Sequence, residues 1–116
     1  MPSDHLNAID RILFEHFKPE GIAYCKDHFN KFVGPTPWHW SPSRNWSDLE
    51  PLIVAACKKY DANFKMQWYH NQEPSCWCAG FANDVSGLDV FGTACDFAPK
   101  AAAIALTALI ERKRDE

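Results

Sequence analysis

The second half of the chain reads as a helix, three short strands and another helix, and this order restricts the fold more than any other feature. Strand-like apolar patterns bounded by turn residues occupy three segments, 63–69, 76–82 and 88–95. Helical spacing of apolar residues marks residues 47–60 before them and 99–110 after them. Because only short, turn-rich segments connect the strands, we expect an antiparallel sheet in an α+β fold.

The middle strand, residues 76–82, is apolar on both faces, which is typical of a sheet covered on both sides. We therefore predict a small three-stranded antiparallel sheet packed between helices, in the order α-β-β-β-α, with an additional N-terminal helical region. A chain of 116 residues forms one domain. We divide it into the helical region 1–34, an aromatic and proline-rich loop 35–46 (the aromatic loop) and the α-β-β-β-α unit 47–113.

Two apolar patterns precede the aromatic loop. The first, over residues 4–17, has the spacing of one helical face, and Pro19 and Gly21 end it. The second, over residues 22–33, also fits a helical stripe. An extended segment that adds a strand to the sheet is the alternative for this part of the chain.

Composition and charge argue against several classes of protein. The net charge of -3 does not favour a protein held on nucleic acid by clustered basic residues. No segment approaches the ~18 consecutive apolar residues of a membrane-spanning helix. The first residues lack the basic region and apolar core of a secretory signal, and the five cysteines are an odd number. We therefore expect a cytoplasmic protein with reduced thiols.

The residues that could catalyse a reaction or bind a metal form no clear signature. Cys76 and Cys78 lie on one face of a strand, with His70 or Cys95 as further candidate ligands, but the chain lacks the Cys-x-x-Cys pair usual in zinc sites. A Cys–His enzyme needs a thiol beside a base that a third group orients, and no local pattern supports such a pairing. We expect no metal, no cofactor and no catalysis, and a metal- or cysteine-dependent enzyme is the least favoured alternative.

The aromatic loop concentrates side chains that are suited to binding. Its three prolines disfavour regular structure, yet it holds Trp38, His39, Trp40, Arg44 and Trp46. Tryptophans offer flat stacking surfaces, and a guanidinium holds a phosphate or carboxylate through two bonds. These five residues are therefore the candidate ligand- or partner-binding site. Packing of the tryptophans over one edge of the sheet is the alternative, and it is the more common use of aromatic area.

The α-β-β-β-α order with an alanine-rich last helix resembles double-stranded-RNA-binding domains. The last helix of those domains begins with a lysine-rich motif of the form KKxAK that binds phosphates. Here the corresponding residues 98–103 contain Lys100 as their one basic residue, and the acidic Asp96 precedes them. The resemblance therefore extends to topology alone, and we expect no binding of double-stranded nucleic acid.

Residues 40–46, Trp-Ser-Pro-Ser-Arg-Asn-Trp, together with the helix after them, resemble the YSPSTDW segment of NinX-like phage proteins and the related phage ABA-sandwich domain. In that family a short sheet follows, and then an alanine-rich helix led by Thr/Ala-Pro, like the helix that residues 98–102 open here. The resemblance covers roughly residues 38–111, and the chain departs from the pattern at Arg44. It implies a bacteriophage or prophage accessory protein with helices on both sides of a small sheet.

Two interpretations of function follow from the resemblance and the aromatic loop. One is a counter-defence inhibitor that binds a host protein, and the other is a small-ligand binder that sequesters a nucleotide-derived signal by stacking and through Arg44. Protein binding is favoured because aromatic residues and Arg are enriched at binding hot spots, and no glycine-rich phosphate loop is present. The nearly all-round apolar helix 101–110 also predicts a homodimer, because a three-stranded sheet would leave part of that helix uncovered.

Overall fold

The computed structural model describes residues 2–26, 28–29, 32–71 and 73–115. The described residues form helices α1 (Pro2–Phe17), α2 (Trp46–Tyr60) and α3 (Ala98–Arg114), and strands β1 (Ala23–Lys26), β2 (Phe32–Thr36), β3 (Asn63–Tyr69), β4 (Cys76–Asn83) and β5 (Leu88–Ala94). Strands β1 and β2 pair with each other, and β3, β4 and β5 form a second sheet in that order. Within the described ranges, none of the helices is long and apolar enough to cross a membrane.

The sheet of β3, β4 and β5 is antiparallel, in the register that its alternating apolar side chains require. Phe64 of β3 lies opposite Phe81 of β4, and Phe81 lies opposite Val90 of β5. These three side chains share one face of the sheet, and Phe81 at its centre is fully buried. The predicted α+β class and the three-stranded antiparallel sheet are confirmed, and the β1–β2 pair is a second, smaller sheet.

Helix α3 covers this face of the sheet by packing on β4 and β5. The approach is very close, since a Cβ atom built on Gly92 of β5 would lie 2.5 Å from the backbone nitrogen of Ala105 and 2.7 Å from the carbonyl oxygen of Ala101. Helices α1 and α2 pack against α3 in turn. The apolar side chains of α3 are therefore buried within one chain, so this helix no longer supports the predicted homodimer, which stays a prediction.

The opposite face of the sheet is open, which differs from the cover on both sides that the apolar middle strand predicts. The β5 residues on this face, Asp89, Phe91 and Thr93, are exposed, and Phe91 has 66% of its surface accessible. Strand β4 contributes the half-buried Cys78 and Gly80 between the neighbouring strands. The side chains of β4 on the open face are small, so their apolar character does not require a helix to cover them.

The helix predicted over residues 22–33 is wrong, because the described part of this segment contains β1 and the start of β2. The two strands are antiparallel, with Cys25 opposite Gly34. The φ of Gly34, +146°, lies outside the helical region and is readily adopted only by glycine. The alternative of an extended segment is correct, but its strands form their own sheet instead of adding to the three-stranded one. Residues 27, 30 and 31 of this segment lie outside the described residues.

Candidate functional site

One buried carboxylate fixes the aromatic loop to helix α1. Asp10 is 2% exposed. Its Oδ2 accepts a hydrogen bond of 2.6 Å from Ser41 Oγ, and its Oδ1 accepts one of 2.8 Å from the backbone N–H of Ser43. Ser43 Oγ also donates to the carbonyl oxygen of Leu6 over 3.4 Å. The Ser-Pro-Ser segment therefore wraps around Asp10 and supplies the donors that a buried carboxylate needs.

Arg44 completes this network. Its Nη1 lies 3.4 Å from Asp10 Oδ2 in an ion pair, and it donates to Ser41 Oγ over 2.9 Å and to Asn7 Oδ1 over 3.2 Å. The Arg44 side chain is 32% exposed, whereas that of Asp10 is 4% exposed. The guanidinium thus offsets the charge of Asp10 and holds the loop against α1. A phosphate bound through Nη1 would have to compete with these contacts.

The electrostatics of Asp10 are set by two opposing effects. Burial raises the pKa of its carboxyl above the ordinary value of 3.8, while hydrogen bonds from Ser41 and Ser43 and the charge of Arg44 act to lower it. In the part of the chain that the structure describes, no buried polar side-chain atom lacks a hydrogen-bond partner. A buried polar network that is fully satisfied in this way rigidifies the segments that it joins.

The same part of the aromatic loop is also bonded to helix α2. Asp48, in the first turn of that helix, accepts a hydrogen bond of 3.0 Å at Oδ2 from the backbone N–H of Ser41. The side-chain amide of Asn45, the residue just before the helix, donates to the same oxygen over 3.4 Å. Ser41 therefore bonds to α1 through its side chain and to α2 through its backbone.

Trp40 points into the core, where it joins the loop to α1 and β1. It is 6% exposed, and its ring centroid lies 6.4 Å from that of Phe14 and 6.3 Å from that of Tyr24, both in edge-to-face geometry. The rings of Phe14 and Tyr24 are 4.8 Å apart. Burial raises the pKa of Tyr24 to about 12. Trp40 is therefore packed in the core, as in the alternative considered for the tryptophans.

The other candidate residues of the loop lie at the surface. Trp38 is 85% exposed, and its ring meets that of the exposed His39 edge-to-face at 5.9 Å. Trp46 is 40% exposed at the start of α2. An indole as exposed as that of Trp38 contributes little to the core, so packing does not explain why this position is a tryptophan.

A cleft of about 640 Å³ lies between α1, the β1–β2 sheet and the aromatic loop. Trp38, Trp40 and Arg44 line it, whereas His39 and Trp46 are not among its lining residues. Of the five residues predicted for the site, three are therefore brought together in one concave surface. We call this surface the Trp38 cleft.

The other side of the Trp38 cleft was not predicted from the sequence. Asn7 and Arg11 of α1 and Tyr24 and Cys25 of β1 also line it. One signal in the sequence pointed to α1. Asp10 stands on the apolar stripe of that helix, four residues after Leu6 and three before Leu13, where a charged residue needs partners from elsewhere in the chain.

The thiols of Cys25 and Cys78 lie in separate parts of the fold. Cys25 Sγ lies 2.9 Å from Thr36 Oγ1 at the cleft, and Cys78 lies on the open face of the other sheet. Burial raises the pKa of the Cys78 thiol, and the neighbouring Cys76 adds to this effect, which disfavours the reactive thiolate. Among the described residues, no group of three or more His, Cys, Asp or Glu side chains is placed to hold a metal ion.

Comparisons of the chain with protein-family models, with curated proteins and with solved structures find no match. The residues of the chain and the geometry of the Trp38 cleft are therefore the evidence for its function.

Proposed function

We propose that this protein is a non-enzymatic binding protein of the phage or prophage accessory type, which acts in the host cytoplasm by binding and inhibiting a host protein at the Trp38 cleft. The observation that carries the proposal is the position of Trp38. It combines 85% exposure with a place on a loop whose residues Ser41 and Ser43, three and five positions after Trp38, bond to the carboxylates of Asp48 and Asp10. The phage context and the inhibition come from the resemblance of residues 40–46, and they are part of the proposal.

An exposed indole on a rigid loop is an efficient anchor for a partner. Burial of a tryptophan removes about 150–250 Å² from water, which at about 25 cal/mol per Å² amounts to roughly 4–6 kcal/mol before the costs of association. Those costs fall when the binding surface is already ordered. The network around Asp10 holds residues 41–43 of this loop, which reduces the ordering that binding at Trp38 would require.

The cleft beside Trp38 can receive one projecting group of a partner. Its floor includes the buried Trp40, and Arg44 lies at its edge with a third of its side chain exposed. Hot spots in interfaces combine aromatic and Arg residues around a pocket in this way. Because Arg44 is engaged with Asp10, its contribution to binding would come mainly from keeping the loop in place.

A small nucleotide-derived ligand is the second candidate, and the size of the cleft favours it. About 640 Å³ lies within the range of roughly 300–1,000 Å³ that is typical of ligand pockets. Trp38 could stack on a base. The ion pair of Arg44 with Asp10 opposes this candidate, because a phosphate would displace or share the guanidinium.

A comparison of two exposed tryptophans tests the proposal. Wild type, Trp38→Ala and Trp46→Ala are immobilised in parallel and exposed to bacterial lysate, and captured proteins are identified by mass spectrometry and then titrated by calorimetry. Trp46 is the matched control, because it is an exposed indole outside the cleft. We expect Trp38→Ala to weaken binding by at least ~2 kcal/mol, about 30-fold, and Trp46→Ala to leave it nearly unchanged.

Equal capture by both variants and the wild type would refute a role for the cleft in protein binding. A thermal-shift screen with cyclic and ADP-ribose-type nucleotides tests the second candidate in the same variants. A nucleotide that raises the melting temperature of the wild type and of Trp46→Ala, but not of Trp38→Ala, would assign the cleft to a small ligand instead of a protein.

A further inference from the structure

The three-stranded sheet carries three of the chain's five thiols at one end. Strand β4 begins at Cys76 and continues through Cys78, and Cys95 directly follows the last residue of β5. Alternate residues of a strand share a face, so Cys76 lies on the open face with Cys78. Cys95 comes two positions after Thr93, which belongs to the same face. All five cysteines are thiols in this structure.

The register of the strands identifies which of these thiols are neighbours. Cys78 lies opposite Thr93 and Trp77 lies opposite Ala94. In an antiparallel pair, one step back along β4 corresponds to one step forward along β5, so the position opposite Cys76 is that of Cys95. On its other side Cys76 pairs with Tyr69 of β3, so β4 still belongs to the sheet at this residue.

The spacing of Cys76 and Cys95 in this register suits a disulfide. Directly opposite residues of antiparallel strands have Cα atoms about 4.5 or 5.5 Å apart, and a disulfide joins Cα atoms about 4.4–6.8 Å apart. Cys76 and Cys78 follow each other along one extended strand, where alternate Cα atoms are about 6.6 Å apart, close to the upper limit. Cys78 has Gln67 and Thr93 opposite it. Cys95 is therefore the thiol best placed to bond with Cys76.

Access from solvent favours the same pair. Cys95 is exposed, whereas Cys76 and Cys78 are half-buried, so a small oxidant in solution reaches Cys95 first. Cys95 also lies three residues before Ala98, where α3 begins. A bond from Cys95 to Cys76 would close the loop 76–95 and tie the first residue of β4 to the segment that leads into α3.

We propose that Cys76 and Cys95 are a redox-sensitive pair, which a low-molecular-weight disulfide such as oxidised glutathione converts into a disulfide that ties β4 to the start of α3. The Cys95 thiolate attacks one sulfur of oxidised glutathione and releases one glutathione thiolate. The Cys76 thiolate then attacks the Cys95 sulfur and releases the second. Two cysteines are oxidised, one glutathione disulfide is reduced to two thiols, and these take up the two protons that the cysteines lose.

This pair is separate from the Trp38 cleft, whose lining residues include neither Cys76 nor Cys95. The inference is therefore independent of the proposed function, and either can fail alone.

The test is an oxidation titration of the full chain. Wild type, Cys76→Ser, Cys95→Ser and Cys78→Ser are equilibrated with mixtures of reduced and oxidised glutathione, in buffer and in concentrated urea, and their remaining thiols are then alkylated. Cleavage at Asp84 and Asp89 separates Cys95 from the other two thiols, so mass spectrometry of the peptides identifies the bonded pair. Cys78→Ser is the matched control, because it removes a thiol from the same face of β4 and leaves the proposed pair intact. Melting curves of the reduced variants establish that each is folded.

We expect a disulfide in the wild type and in Cys78→Ser that is absent from the other two variants and is reversed by excess reduced glutathione. Because the fold holds the two thiols opposite each other, the disulfide should form with at least tenfold less oxidised glutathione in buffer than in urea. Closure of the loop 76–95 should also raise the melting temperature of the wild type by roughly 10 °C.

Three results would each overturn the proposal. One is glutathione that stays attached to Cys95 in the wild type without closure to Cys76, and another is a bond that closes between Cys76 and Cys78 instead. The third is an equal requirement for oxidised glutathione in buffer and in urea, since the fold would then contribute nothing to the pairing. An oxidised form that melts no higher than the reduced form would also refute it, because the bond would then distort the sheet.

Discussion

Replacement of Gly92 by alanine tests how α3 is seated on the sheet. The added Cβ would lie 2.5 Å from the nitrogen of Ala105, 2.7 Å from the oxygen of Ala101 and 2.8 Å from Cγ2 of Ile104, whereas ordinary contacts begin at 3.4 Å. Two of the three obstructing atoms belong to the backbone, which cannot move by a rotamer change. Relief of the overlap requires α3 and β5 to separate by about 1 Å, and contacts that are stretched by this amount lose a quarter to a half of their attraction.

We expect Gly92→Ala to lower the free energy of unfolding by about 3 kcal/mol, the upper end of the usual cost of overpacking, because the strain falls between two buried backbones that cannot move independently. In a domain of this size the melting temperature should fall by roughly 10–15 °C. Urea unfolding followed by circular dichroism and by tryptophan fluorescence measures the change. Thr93→Ala on the exposed face of the same strand is the control, with an expected loss below about 1 kcal/mol.

A Gly92→Ala variant within about 0.5 kcal/mol of the wild type would refute this reasoning, since the helix would then sit farther from β5 than the structure places it.

Three further predictions concern the buried polar and aromatic groups. Burial raises the pKa of Asp10 in the folded state, so the contribution of Asp10 to stability is greatest at low pH and declines as the pH rises from about 4 towards the folded-state pKa. In urea titrations, the difference in unfolding free energy between wild type and Asp10→Asn should therefore shrink as the pH rises. A difference that grows would mean that the hydrogen-bond donors around Asp10 outweigh its burial. His16 should titrate below 6.5 by proton NMR, because burial and the charges of Lys59 and Arg114 disfavour its cationic form, so its contribution to stability is lost on acidification below that pH; a value above 6.5 would contradict this account. Trp40→Ala should cost about 3–5 kcal/mol of stability while Trp38→Ala costs less than about 1 kcal/mol, and equal losses in thermal or urea unfolding would show that their difference in exposure has no energetic consequence.

The strands of the larger sheet could be predicted from the sequence because their signals are local. Alternation over residues 63–69 gives β3 with its observed bounds, and β4 and β5 differ from the prediction by one residue each at their C-terminal ends. The β1–β2 sheet was missed because its apolar spacing also fits a helix. Pairing with Gly34, which lies nine residues after Cys25, decided the structure there.

The candidate site was only partly predictable, since its geometry depends on contacts between distant parts of the chain. The aromatic loop was identified by composition, but the sequence could not show that Trp40 turns inward while Trp38 faces solvent. The course of the loop at this point is fixed by the bond from Ser41 to Asp10, which lies 31 residues earlier in the chain. The prediction of a covering layer on both faces of β4 was wrong for a related reason. Small side chains count as apolar in the sequence whether or not a second layer covers them.

The carboxylate of Asp10 also governs how the surface around Trp38 fluctuates. Since this carboxylate accepts the backbone N–H of Ser43, the loop can open there only by breaking that bond and exposing a buried, hydrogen-bonded carboxylate. The amide of Ser43 should therefore exchange with solvent deuterium more slowly than the amides of the exposed residues 38 and 39 of the same loop. A partner that reaches Trp38 thus contacts a loop whose residues 41–43 are already bonded to α1 and α2, and association has correspondingly less of the chain to order.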